Sequence, residues 1–219
     1  MTILSLEGNI GAGKSTLLRR IDQALSDAGI KHVVLYEPVD EWMTTKVHEQ
    51  SMLELFYSDK AKHGFLFQLF VLQTRIQQML DCIAANPDSV IITERCHITD
   101  REIFAKMMEK SGLLKPEEVI VYNKWYDTCT KLLQNYLKGI IYLKASPSVC
   151  VERIIKRSRP GEENITLEYI KKLHNIHESW IFSNDHKLPV AVIDANLDEH
   201  QVDVNAVVSF VEQQCAVNL

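Results

Sequence analysis

The chain has 219 residues, 46% apolar and 24% charged, enough for an α/β domain with a buried core. Its net charge of −5 at pH 7 argues against a nucleic-acid polymer as the main partner, because phosphate backbones select basic faces. Five scattered cysteines without CxxC or Cys/His spacing argue against a disulfide framework, and the lack of any long apolar run or leader pattern argues against a membrane partner, so a cytoplasmic protein is expected.

In chain order, Thr2–Glu7 reads as a short apolar strand running into glycines. Leu17, Leu18, Ile21 and Leu25 have helical spacing over Ser15–Ala28, and Gly29 stops that helix. Lys31–Tyr36 is the second strand. Asp59–Ala85 carries a long apolar stripe of Phe65, Leu69, Leu72, Ile76, Met79 and Ile83. Val90–Thr93 is a third strand, followed by helices at about 100–111 and 116–137. Gly139–Leu143 is a fourth strand, followed by a helix from Ser146 to Lys156 and an Arg-rich loop from Arg157 to Asn164. A helix over Thr166–Asp185, a strand at Val190–Ile193 and a helix ending near Gln214 complete the chain. Strands alternating with helices predict a five-stranded parallel sheet with helices on both faces. No linker or repeat divides residues 1–219, so a single domain is expected.

Gly8-Asn9-Ile10-Gly11-Ala12-Gly13-Lys14-Ser15 fits G-x-x-x-x-G-K-[ST], with a strand before it and a helix after it. Glycines let backbone amides wrap phosphates, and the helix N-terminus adds a positive dipole. Lys14 should reach the β- and γ-phosphates of a nucleotide, and the Ser15 hydroxyl should ligate Mg²⁺. Thr16 follows directly. The motif predicts a P-loop NTPase-type three-layer sandwich, but not what is done with the nucleotide. A GTPase would need Asn-Lys-x-Asp, and Asn123-Lys124-Trp125-Tyr126 lacks the Asp.

Three further clusters follow strand ends, where ligands bind in open α/β sheets. They are Glu37-Pro38 with Trp42; Glu94-Arg95 with Asp100, Arg101 and Phe104; and Arg153, Arg157 and Arg159 with Glu162. With EGNIGAGKST, EPVDEW, the Phe67-Gln68 pair, ERCHITDREIF, YLKASPSVCVERIIKRSRPGEE and LEYIKKLHNIHESW, the chain resembles the deoxyribonucleoside kinase family over nearly its whole length.

The resemblance implies ATP-dependent phosphorylation of the 5′-hydroxyl of a deoxyribonucleoside. It makes Glu37 the general base for that hydroxyl and Arg95 a stabiliser of charge on the transferring phosphoryl group. Glu94 would hold Mg²⁺ through water. Arg153, Arg157 and Arg159 would close a lid, about residues 157–164, over ATP. Tyr57 and Glu162 would bind the sugar 3′-hydroxyl, coupling substrate to lid closure.

Gln68 is the base reader, since its amide suits a two-point contact with a base edge. Phe67 and Phe104 would sandwich the base, and Met52 and Val71 would line its pocket. Gln68, Val71 and Arg75 share one helical face. Arg75 is a charge in an apolar stretch and needs a partner or an exit to solvent. Asp100 is the partner implied by resemblance to the deoxycytidine and deoxyguanosine kinase branch. That pair predicts purine deoxynucleosides or deoxycytidine over thymidine as substrate.

Cys96 stands where the family usually has serine, and His63-Gly64 carry no assigned role. His174, His177 and Glu178 are assigned to packing rather than to a metal. Two competing readings are a non-catalytic kinase-like accessory subunit and a nucleoside monophosphate kinase. The first would need no intact Lys14, Ser15, Glu37, Glu94 and Arg95. The second would place an acceptor phosphate against the Glu37 carboxylate. The 65–83 stripe and the resemblance together predict a helix-to-helix homodimer.

Overall fold

A computed structural model describes residues 1–133, 135–159, 162–163, 165–183, 186–197 and 201–216. Its centre is a five-stranded sheet of β1 (Ile3–Glu7), β2 (His32–Leu35), β5 (Val90–Glu94), β6 (Leu137–Lys144) and β7 (Val190–Asp194), in the order β2-β5-β1-β6-β7. Every pairing is parallel. This is the predicted sheet, with β5 and β7 each running one residue further, to Glu94 and Asp194, β6 starting two residues earlier and ending one later, and β1 and β2 slightly shorter than expected.

β1 shows why both faces are covered. Leu4 and Leu6 join the apolar cluster under α1 (Lys14–Asp27), while Ile3 turns to the opposite cluster. Side chains alternate along a strand, so a central parallel strand must be apolar on both sides. α1 contributes Leu17, Leu18, Ile21 and Leu25 to the first face, beside Val207, Phe210 and Val211 of α10 (Val204–Ala216). α4 (Lys60–Ala85) contributes Leu72, Ile76 and Met79 to the other, packed on α7 (Pro116–Leu133).

The segment between β2 and α4 holds more than the sequence pattern showed. α2 (Val39–Thr44) is followed by a small antiparallel pair, β3 (Lys46–Val47) and β4 (Gln50–Ser51), and by α3 (Met52–Ser58). Ser51 and Glu54 form a reciprocal capping box: the Glu54 amide donates to Ser51 Oγ at 3.2 Å, and the Ser51 amide donates to Glu54 Oε2 at 2.8 Å. Asp59, expected inside the long helix, is its cap and accepts from the Lys62 amide at 3.0 Å.

Beyond β5 the predicted 100–111 helix is composite. A short turn α5 (His97–Thr99) leads into a π-helical stretch, Asp100–Ala105, and then α6 (Lys106–Lys110). Wide turns of this kind recur at functional sites. The predicted 116–137 helix ends early at Leu133, because Leu137 is already in β6 opposite Ile3, whose amide donates to Tyr136 O at 2.8 Å. α8 (Pro147–Arg157) starts with proline at its first turn and ends at Ser158, a left-handed residue. α9 (Leu167–Ile181) is capped by Thr166. Of these expectations, Gln134 of the 116–137 helix, Pro160, Gly161 and Asn164 of the lid, and Asn184 and Asp185 of the α9 helix lie outside the described residues. Among the described residues no helix is long and apolar enough to cross a membrane.

Candidate active site

The β1–α1 loop has the backbone that the glycine pattern demands. Gly11 and Gly13 sit at φ 78° and 99°, and a Cβ on Gly11 would stand 2.3 Å from Cys150 O. The Lys14 ammonium donates to Asn9 O at 3.0 Å and lies 3.8 Å from Glu94 Oε1. Burial, then the charge of Arg95, lowers its pKa to about 8. Ser15 Oγ donates to Glu94 Oε2 at 2.9 Å, so strand β5 delivers a carboxylate to the first turn of α1.

A cavity of about 760 Å³ opens over this loop, lined by Gly11 to Leu17 and, from α8 and beyond, Arg153, Lys156, Arg157 and Arg159. Gly8 and Asn9 shape the loop from behind it. Gly8 O accepts from Arg95, and Asn9 Nδ2 donates to Ile170 O at 2.9 Å. Arg153 departs from the expectation of a lid arginine. It sits on the cavity wall, and its guanidinium donates to Ala12 O, Ala195 O and Leu197 O at 2.9–3.0 Å. Those carbonyls tie it to the loop and to the end of β7, whereas Arg157 and Arg159 line both cavities.

The second cavity, about 250 Å³, lies beside the first. Gly11, Lys14, Ser15, Glu94, Arg157 and Arg159 border both, so a group can pass between them there. Glu37, one residue before the proline that leads into α2, stands in this second cavity. Arg95 Nη1 donates to its two oxygens at 2.8 and 2.7 Å, and Arg75 Nη2 donates to Oε1 at 2.8 Å. Burial opposes its charge, but Arg95, Arg75 and Lys14 hold the carboxyl well below the usual carboxylate range.

Arg75 is 1% exposed, which rules out an exit to solvent. Its Nε donates to Asp100 Oδ2 at 2.9 Å and its Nη1 to Glu94 O at 3.0 Å. The guanidinium fork therefore holds the Glu37 carboxylate, the end of β5 and the π-helical turn at once. The wide turn brings Asp100 to this point, and Asp100 Oδ1 keeps no partner among the described residues.

Gln68 and Val71, two turns and one turn before Arg75, line the same cavity, and Gln68 Oε1 is also unpartnered among the described residues. Phe67 stacks on Phe56 at 4.5 Å and meets Trp42 edge-on at 5.9 Å. Phe104 also lines the cavity, with the Arg95 guanidinium 5.0 Å from the centre of its ring. Tyr57 and Glu162 both line the cavity, with Glu162 gripped by Arg157 at 2.8 and 2.6 Å and by Arg159 at 3.5 Å.

Met52 does not line it. Leu53, Phe56 and Tyr57 occupy one face of α3 at i, i+3 and i+4, and Met52 lies at the edge of that face, in the apolar core. Phe56, Leu53, Tyr36, Asp40 and Tyr169 are wall residues that sequence patterning does not single out. The adjacency of Phe56 to Tyr57 is the available signal for one of them. His177 is fully buried, with Nδ1 on Leu173 O at 2.7 Å.

The residues suit the groups the motif calls for. The positive-φ glycines leave an amide-lined cradle for phosphate, and one hydroxyl and one carboxylate converge beside it for Mg²⁺. Mg²⁺ takes few protein ligands and completes its shell with phosphate and water. Among the described residues no three His, Cys, Asp or Glu side chains gather to hold a metal alone.

A phosphate cradle opening onto an ionised carboxylate in an adjoining cavity defines a P-loop phosphotransferase. The profile of the deoxynucleoside kinase family matches residues 4–216, and the chain belongs to that family. It is 33% identical over 201 residues to a probable deoxycytidine kinase of Fowlpox virus, covering 91% of this chain and 80% of the relative. It is 31% identical to deoxycytidine kinase 2 of Gallus gallus and 32% identical to the mitochondrial deoxyguanosine kinase of Xenopus laevis. Each alignment covers 89% of this chain and 82% of the relative.

Proposed function

We propose that the protein transfers the γ-phosphate of ATP to the 5′-hydroxyl of a deoxyribonucleoside, in nucleotide salvage, accepting purine deoxynucleosides and deoxycytidine in preference to thymidine. The observation that carries the reading is Glu37, an ionised carboxylate on the wall of the second cavity and in contact with Arg95. A sugar hydroxyl there gives up its proton to Glu37 as its oxygen attacks phosphorus. Arg95, Lys14 and the lid arginines Arg157 and Arg159 offset charge on the transferring group. Ser15 and Glu94 would hold Mg²⁺, which neutralises phosphate charge when bound. Arg153 braces the phosphate loop.

Tyr57 and Glu162 meet the sugar, and Glu162 carries substrate contact directly to Arg157. Phe67 and Phe104 flank the base, and Gln68 reads its edge. The Arg75–Asp100 pair occupies the room a thymine methyl would need, and Asp100 Oδ1, unpartnered among the described residues, suits an exocyclic amino group. The whole chain serves as one cytoplasmic kinase domain with its lid at about 157–164. Initial rates with the four natural deoxynucleosides test the reading: thymidine with the highest kcat/KM would overturn the base preference, and no turnover of any would overturn the activity.

The same reading includes a homodimer. The 65–83 stripe is largely used within the chain, but Leu66 on α4 and Ile120, Val121, Trp125 and Leu132 on α7 are exposed, Ile120 by 62% and Trp125 by 57%. Exposed apolar side chains on α4 and α7 of this kind suit a second copy. Sedimentation of the wild type as a monomer at micromolar concentration would count against it.

A further inference from the structure

We infer that Glu7 and Thr99 form a buried clasp that fixes the backbone of Arg95, which makes both of them positioning residues for phosphoryl transfer. The inference rests on the kinase reading above. Arg95 has φ 61°, a left-handed conformation that a bulky side chain adopts only when its surroundings impose it. Three consecutive residues at and just past the end of β1 impose it. Leu6 O accepts the Arg95 amide at 3.0 Å, and Gly8 O accepts Arg95 Nη2 at 3.3 Å. Between them, Glu7 controls the turn that leaves Arg95. The Cys96 amide donates to Thr99 Oγ1 at 3.2 Å, and Thr99 Oγ1 donates to Glu7 Oε1 at 2.5 Å. Ser5 Oγ donates to the same carboxyl oxygen.

Glu7 is 0% exposed, and its Oε2 has no partner among the described residues. A carboxyl group buried this way is unfavourable to the fold, since one of its oxygens is desolvated without compensation. Its observed partners are hydroxyl groups, and the more distant of them in sequence, Thr99, belongs to the turn that leaves Arg95. Because Gly8 opens the phosphate loop, the clasp also sets the spacing between the donor cradle and the arginine that contacts Glu37.

Thr99→Val removes the hydroxyl at nearly constant volume, Thr99→Ser keeps it, and Glu7→Gln keeps an acceptor oxygen. The whole chain is assayed with ATP and its best deoxynucleoside, and kcat is expressed per binding-competent site from calorimetric stoichiometry. Thr99→Val is expected to lower kcat about tenfold with little change in nucleoside KM, as small misplacements of a catalytic group do. Thr99→Ser and Glu7→Gln, which keep the bonding atoms, should retain most of the wild-type kcat. In an Arg95→Ala background, Thr99→Val should have no further effect.

An unchanged kcat in Thr99→Val overturns the inference. So does a loss accounted for by the fraction of competent sites, or the same loss with Arg95 absent. Thr99→Ala carries the same comparison if the valine variant does not fold. A wild type without turnover would instead overturn the kinase reading itself.

Discussion

Arg95 holds Glu37 side by side with itself: one guanidinium nitrogen lies 2.8 and 2.7 Å from the two oxygens of the carboxylate. The carboxylate proposed as the general base is thus kept ionised by the guanidinium proposed to stabilise the phosphate. Removing its charge while keeping its shape separates the two roles. Glu37→Gln is expected to lower kcat by ~10²-fold or more, the range lost with a general base, while the protein stays folded. Steady-state rates and equilibrium nucleoside binding check this, and an unchanged kcat would remove Glu37 from the mechanism.

The second contact on Glu37 comes from Arg75, which also serves Asp100. Arg75→Met should destabilise the fold by about 3 kcal/mol, because it leaves buried carboxylates short of their cation. Adding Asp100→Ala should recover part of that and raise thymidine turnover relative to deoxycytidine. Urea unfolding of the single and double variants, with the substrate panel, reads both effects.

Gly64 sits inside α4, where alanine would normally stabilise a helix by ~0.5–1 kcal/mol. Here a Cβ would stand 2.1 Å from Met108 Cε, and Met108 is fully buried. Gly64→Ala should therefore lower Tm, since overpacking costs about 1–3 kcal/mol. In a Met108→Ala background the same change should raise Tm. A gain in both backgrounds would mean that the methionine yields freely.

Two buried histidines set a pH dependence of stability. Burial, then the charge of Arg75, lowers the pKa of His97 to about 4, and burial lowers that of His177 to about 3. In the unfolded chain both titrate near 6.5. The unfolded state therefore binds protons first as pH falls. Their contribution is present above that value and is lost as pH falls toward 4, at up to ~1.4 kcal/mol per pH unit for each histidine. Urea unfolding at about pH 7 and about pH 5 should show the loss, and His177→Gln should show a shallower one.

Much of this protein is legible in its sequence alone. The parallel sheet follows from apolar strands alternating with amphipathic helices, because each strand is buried on both faces and each helix on one. The phosphate loop follows from glycines at spacings that only a left-handed backbone uses. Arg75 stands out as a charge in an apolar stretch, and its burial between two carboxylates bears that out.

The tertiary structure decided what sequence periodicity does not encode. α2, α3 and the β3–β4 pair are too short for a periodic signal and exist through caps and contacts, which is how Phe56 rather than Met52 came to the cavity wall. Arg153 looks like its neighbours in a basic run, yet three backbone carbonyls distant in sequence take up its guanidinium. The helix expected to reach residue 137 stops at Leu133 because β1 needs a partner strand there. Local propensity sets which residues can form an element, but hydrogen bonds between distant segments set where it ends and which way its side chains face.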